Sequence, residues 1–131
     1  MKKSILLFLS ISLLSLSIRA QENQSVKTDS IIFENLVHDY GTIVQGSDGN
    51  YEFIFTNKGK LPLILTNVRA SCGCTVAKWP REPIETGQEG TISVKYNTNI
   101  AGTFNKSITV NSNAVNSPVV LRIKGSVTPK Q

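Results

Sequence analysis

Tyr51-Glu52-Phe53-Ile54-Phe55-Thr56-Asn57-Lys58-Gly59-Lys60 is the stretch that decides how the chain folds. Aromatic side chains at 51, 53 and 55 alternate with Glu52, Ile54 and Thr56, and in an extended chain successive side chains point to opposite faces. This period of two, ended by Asn57-Lys58-Gly59-Lys60, reads as a strand with one buried face followed by a turn.

The same pattern recurs on both sides. Leu61 to Val68 reads as a second strand, with Leu63 and Leu65 on one face and Pro62 tolerated near its start. Ile92, Val94 and Tyr96 mark a third, after the turn residues Thr86 to Gly90. Phe104, Ile108 and Val110 mark a fourth, and Val119, Leu121 and Ile123 a fifth. Ile31 to Phe33 and Val37 to Ile43 supply one or two strands at the start, and Cys74 to Val76 a short one in the middle. Pro80, Pro83 and Gly87 break residues 77–90, which are expected to form a surface loop. About seven short strands with almost no helical periodicity predict an all-β fold. It is an immunoglobulin-like antiparallel β-sandwich, a domain of roughly 100 residues, placed here at 31–128. Residues 21–30 (QENQSVKTDS) are polar and aperiodic, a lead-in to that domain.

Upstream, Lys2 and Lys3 precede a run from Ile5 to Ile18 made only of Ile, Leu, Phe and Ser, and a polar stretch begins at Arg19-Ala20-Gln21. This is the layout of a secretory signal peptide over residues 1–20. The run is shorter than the ~20 residues of a spanning helix, so no transmembrane span is expected in the mature form. With no cysteine at its end, lipid anchoring has no acceptor. The expected location is the periplasm or the cell surface. Losing Lys2, Lys3 and Arg19 lowers the formal charge from +5 to +2. That removes the electrostatic case for a nucleic-acid partner.

The residues able to carry chemistry are few. Cys72 and Cys74, in Ala70-Ser71-Cys72-Gly73-Cys74-Thr75, are the only cysteines, and at i and i+2 of an extended segment both sulfurs project to one face. Gly73 allows the backbone to bend between them. Three readings compete. A Cys72–Cys74 disulfide suits an oxidising compartment, but the loop it closes is tiny and its entropic stabilisation small. Two thiolates on one face also suit a copper ion, or zinc with further ligands. His38, the only histidine, is the possible third ligand, although without a spacing motif it reads more simply as a strand-edge side chain. Redox exchange is the third reading, with Arg69 nearby to favour a thiolate, although the spacing is Cys-x-Cys instead of Cys-x-x-Cys. Trp79, beside the cysteines, suits either a cap on the core or a stacking surface. There is no nucleotide loop, calcium loop or Gly-x-Ser-x-Gly nucleophile motif, so no catalytic residue is assigned and the chain is not expected to be an enzyme.

His38-Asp39-Tyr40-Gly41-Thr42-Ile43, Phe53-Ile54-Phe55-Thr56-Asn57, Leu63-Ile64-Leu65-Thr66-Asn67-Val68, Ser71-Cys72-Gly73-Cys74-Thr75 with Trp79-Pro80, Phe104-Asn105-Lys106 and Lys124-Gly125 occur in that order. Together they resemble the secreted bacterial domain-of-unknown-function family of the DUF1573 type, with its central Ser-Cys-Gly-Cys-Thr motif, over about residues 32–127. That family looks related to Hydin-like and major-sperm-protein-like immunoglobulin-type domains. The resemblance implies an exported cell-envelope protein with a protein partner, and no established activity. It also makes Asp29-Ser30-Ile31 look like an O-glycosylation acceptor at Ser30. The expectation is therefore a non-catalytic binding module, with a thiol-based copper-binding or disulfide-exchange site at Cys72 and Cys74 as the alternative.

Overall fold

The computed structural model describes residues 30–131; the expected signal peptide and residues 21–29 of the lead-in lie outside the described residues. Eight strands follow one another: β1 (Ile31–Phe33), β2 (Val37–Val44), β3 (Asn50–Asn57), β4 (Leu65–Ala70), β5 (Thr75–Lys78), β6 (Glu89–Tyr96), β7 (Gly102–Ser112) and β8 (Val119–Thr128). They form two four-stranded sheets, in the orders β1-β3-β6-β5 and β2-β8-β7-β4. The fold is the immunoglobulin-like sandwich that the alternating pattern predicts.

The core comes from the alternating positions. Phe53, Phe55, Ile92, Val94 and Tyr96 from the first sheet meet Val68, Phe104, Ile108, Val110, Leu121, Ile123 and Val127 from the second, all buried. Each such side chain contributes roughly 1.5–3 kcal/mol through burial. Tyr96, the last residue of β6, and Phe104, near the start of β7, stack across the gap with ring centroids 3.8 Å apart and join the two sheets.

The pairing is not purely antiparallel. β2 runs parallel to β8, with Val37 opposite Arg122 and Val44 opposite Thr128. Side-chain alternation looks the same in both kinds of ladder, so strand direction was not readable from pattern. A parallel pair needs a long connection, and here five strands intervene.

Two local readings also change. The strand expected over Leu61 to Val68 begins only at Leu65: Leu61 is 74% exposed, and Leu63 makes an isolated bridge to Ile84. Residues 77–90 are not all loop, because β5 runs through Lys78, β6 starts at Glu89, and Leu63 and Ile84 exchange two backbone hydrogen bonds of 2.8 Å. Asn57, read from sequence as a turn residue, causes both departures. It is fully buried; its Nδ2 donates to Leu61 O (2.9 Å) and Ile84 O (2.8 Å), and its Oδ1 accepts from Gly59 N (2.9 Å). One amide thus fixes two connections that sequence periodicity treats as independent.

Candidate functional site

β4 belongs to one sheet and β5 to the other, so Ser71 to Cys74 carry the chain across the sandwich corner. Backbone bonds hold this crossing at both ends. Ser71 N donates to Ser107 O (2.9 Å) and Ser71 Oγ accepts from Ser107 N (3.1 Å), while Asn97 N donates to Cys74 O (2.9 Å). Within it Cys72 and Cys74 are joined as a disulfide, with Cα atoms 5.3 Å apart. That separation lies inside the range a bridge can span without backbone movement.

Directly after the pair, Thr75 is 6% exposed and sends its Oγ1 to 3.8 Å from Cys72 Sγ and 3.9 Å from Cys74 Sγ. Among the described residues this hydroxyl has no other hydrogen-bond neighbour. A hollow of about 380 Å³ opens beside the bridge, lined by Gly73, Cys74, Val76, Lys95, Asn97 and Asn99. Thr75 was not among the expected site residues. Its signal was the alternation itself, which turns Thr75 and Ala77 inward and Val76 and Lys78 outward along β5.

His38 lies elsewhere. On edge strand β2 its ring stacks on Tyr51, with centroids 3.6 Å apart, and meets Tyr40 edge-on at 4.5 Å. Desolvation lowers its pKa below 6.5, opposed by the nearby Asp39 carboxylate. His38, read from sequence as a strand-edge side chain or a possible third metal ligand, is placed on edge strand β2 with its ring among Tyr40 and Tyr51. Among the described residues no group of three or more His, Cys, Asp or Glu could hold a metal ion, because β2 directs the imidazole into the aromatic layer between the sheets. Arg69, expected beside the thiols, is exposed on β4 opposite Thr109.

The rest of the His38 segment is structural as well. Tyr40 Oη donates to Gly49 O at 2.7 Å, and desolvation, with smaller effects of Asp48 and Tyr51, raises its pKa to about 12. Asp39 Oδ1 accepts from Gly41 N at 2.8 Å, and Gly41 has φ +68°, the left-handed conformation this bulge in β2 requires. Trp79 is half-buried against the core, with the Arg81 guanidinium carbon 3.7 Å from its ring centroid. Its Nε1 is buried without a partner among the described residues.

The four sheet edges are protected unequally. β1 has only three residues, and Asn116 clamps Ile31 by accepting from its N–H (3.4 Å) and donating to its carbonyl (2.8 Å). β5 has four residues and β4 carries a bulge between Leu65 and Asn67. β2 is the longest edge, eight residues bonded along one side only among the described residues, and Leu36, Val37 and Val44 beside it are exposed. No helix among the described residues is long and apolar enough to cross a membrane.

One antiparallel and one mixed four-stranded sheet, the mixed one with edge strand β2 parallel to the last strand β8, define an immunoglobulin-type sandwich of the PapD-like and major-sperm-protein-like kind. Residues 31–127 match the family described as protein of unknown function (DUF1573), and the chain belongs to that family. Among curated proteins none matches the sequence significantly.

Solved structures share the fold at low identity. A protein of unknown function from Porphyromonas gingivalis W83 is 18% identical with a TM-score of 0.61, over 77% of this chain and 48% of that one. The chain thus spans about half the length of that relative. The ASH/PapD-like domain 7 of human CEP192 is 10% identical with a TM-score of 0.60, covering 80% of this chain and 89% of that domain. WR4, a C. elegans member of the major sperm protein family, is 10% identical with a TM-score of 0.54, covering 76% and 99%.

Proposed function

We propose that this domain is a non-catalytic, exported interaction module of the bacterial cell envelope that receives an extended segment of a partner protein along β2. The observation that carries this reading is the free edge of β2: eight residues, no second backbone neighbour among the described residues, and exposed Leu36, Val37 and Val44 to contact partner side chains. Main-chain hydrogen bonds to an added strand supply affinity, and side-chain contacts at alternate positions supply selectivity. The Gly41 bulge divides the edge into two short runs and so limits promiscuous pairing. Export is supported by Lys2, Lys3 and the apolar run that follows, and by a disulfide, which persists in oxidising compartments.

Photo-crosslinking side chains placed at Val37 and Val44 in the source cells test the reading. Discrete adducts with an envelope protein are expected from both positions, and none from Val115, which is 70% exposed and lies away from β2. Absence of β2 adducts, or equal labelling from Val115, contradicts it.

A further inference from the structure

A disulfide placed to staple a sandwich joins distant segments, whereas Cys72–Cys74 spans two positions of one connection. The crossing it sits in is already pinned by Ser71 to Ser107 and by Asn97 to Cys74. The fold therefore retains both anchors of the corner when the sulfur–sulfur bond opens. Both cysteines are half-buried, and a Cβ built on Gly73 between them would meet no atom within 4 Å, so space is open above the pair. The hollow flanking Cys74 gives an incoming side chain room, and Lys95 in its wall favours an approaching thiolate.

Thr75 supplies what a passive bridge would not use. Burying a hydroxyl costs free energy unless it finds a strong partner. Disulfide sulfurs at 3.8 and 3.9 Å are weak acceptors, but a thiolate at either position is a charged one. Thr75 Oγ1 thus sits where it stabilises whichever sulfur leaves.

We propose that Cys72–Cys74 is a redox-active pair that passes its disulfide to dithiols of exported proteins, with Thr75 as the positioning residue for the leaving thiolate. A partner thiolate attacks Cys74 Sγ from the hollow. The Cys72–Cys74 bond breaks, a mixed disulfide forms, and Cys72 Sγ leaves as a thiolate beside Thr75. The second partner thiol, deprotonated, attacks the partner sulfur of the mixed disulfide and releases Cys74 as a thiolate. Two electrons pass from the partner dithiol to the Cys72–Cys74 pair. The two protons lost by the partner dithiol end on the Cys72 and Cys74 thiols. This exchange is stoichiometric and independent of strand capture at β2, so either proposal can fail alone.

The test uses the full chain, glutathione buffers of varied ratio and a reduced two-cysteine peptide as probe, with thiol alkylation and mass measurement as readout. Reversible interconversion of the pair with the sheet signal of circular dichroism retained is expected, together with oxidation of one peptide per domain. Thr75→Val is expected to shift the exchange equilibrium about tenfold toward the disulfide, while Thr75→Ser, which keeps the hydroxyl, stays within about twofold of the parent. Cys72→Ser is expected to accumulate a glutathione adduct on Cys74. A pair that stays oxidised in excess dithiothreitol, or is reduced only as the sheet signal disappears, overturns the proposal. Equal equilibria for Thr75→Val and the parent overturn the role of Thr75, and should Thr75→Val not fold, Thr75→Ser and the parent still decide the exchange.

Discussion

The hydroxyl of Tyr40 donates to the carbonyl oxygen of Gly49 at 2.7 Å, tying edge strand β2 to the turn that begins β3. Gly49 O also accepts from Tyr96 N at 3.0 Å, so one carbonyl links β2, β3 and β6 across both sheets. Tyr40→Phe removes one of these two bonds and leaves the carbonyl paired. A loss of about 1 kcal/mol in urea unfolding is expected. The folded pKa of about 12 lies above that of the unfolded chain, so this stabilisation is complete below pH 10 and declines as pH rises toward 12. Tyr40→Phe should flatten that alkaline limb.

His38 works in the opposite sense. Desolvation against Tyr51 lowers its pKa in the folded state, so the unfolded chain takes up the proton first. Stability is complete above about pH 6.5 and falls as pH drops below it, until the folded imidazole also protonates. Proton NMR should place the His38 midpoint below 6.5. His38→Phe, which keeps a stacked ring, should remove its share of the slope below about pH 6.5.

Asn57 satisfies three backbone groups from a fully buried position. Asn57→Ala strands Leu61 O and Gly59 N and leaves Ile84 O with only its Leu63 N–H donor, and a loss of about 3 kcal/mol in urea unfolding is expected. Asn57→Asp should be worse, because it sets an acceptor against two carbonyl oxygens. Hydrogen exchange at Leu63 and Ile84 should accelerate together in either variant, since both depend on the same amide.

Gly90 lies opposite Phe55 in the β3–β6 ladder, and a Cβ there would fall 2.3 Å from Phe55 Cζ. Phe55 is fully buried and has no free direction in which to turn. Gly90→Ala is expected to cost about 1–3 kcal/mol through overpacking. Adding Phe55→Leu should recover part of that loss, a coupling that a double-mutant cycle measures.

Much of this architecture was legible in sequence, because alternation reports burial directly. Tyr51, Phe53 and Phe55, then Ile92, Val94 and Tyr96, then Leu121 and Ile123 all turn toward the core on the faces their spacing predicts. What pattern could not carry was pairing between distant strands. The parallel direction of β2, the Leu63–Ile84 bridge and the passage of Cys72–Cys74 between sheets each depend on which strand lies beside which. The stacking of His38 on Tyr51 was hidden for the same reason: the two rings belong to different sheets. The cysteine pair stood out by spacing, while Thr75, which gives it a chemical neighbour, looked like any strand threonine.

Hydrogen bonds from Ser71 to Ser107 and from Asn97 to Cys74 hold the corner without help from the disulfide, leaving the sulfurs free for exchange. Urea unfolding of the oxidised chain against the Cys72→Ser/Cys74→Ser double variant tests this most directly. Closing so short a loop is worth about 1.5 kcal/mol by chain entropy, so the variant should lose no more than about that and keep its β-sheet spectrum. A variant that does not fold, or that loses about 4 kcal/mol or more as a long-range staple would, contradicts the account.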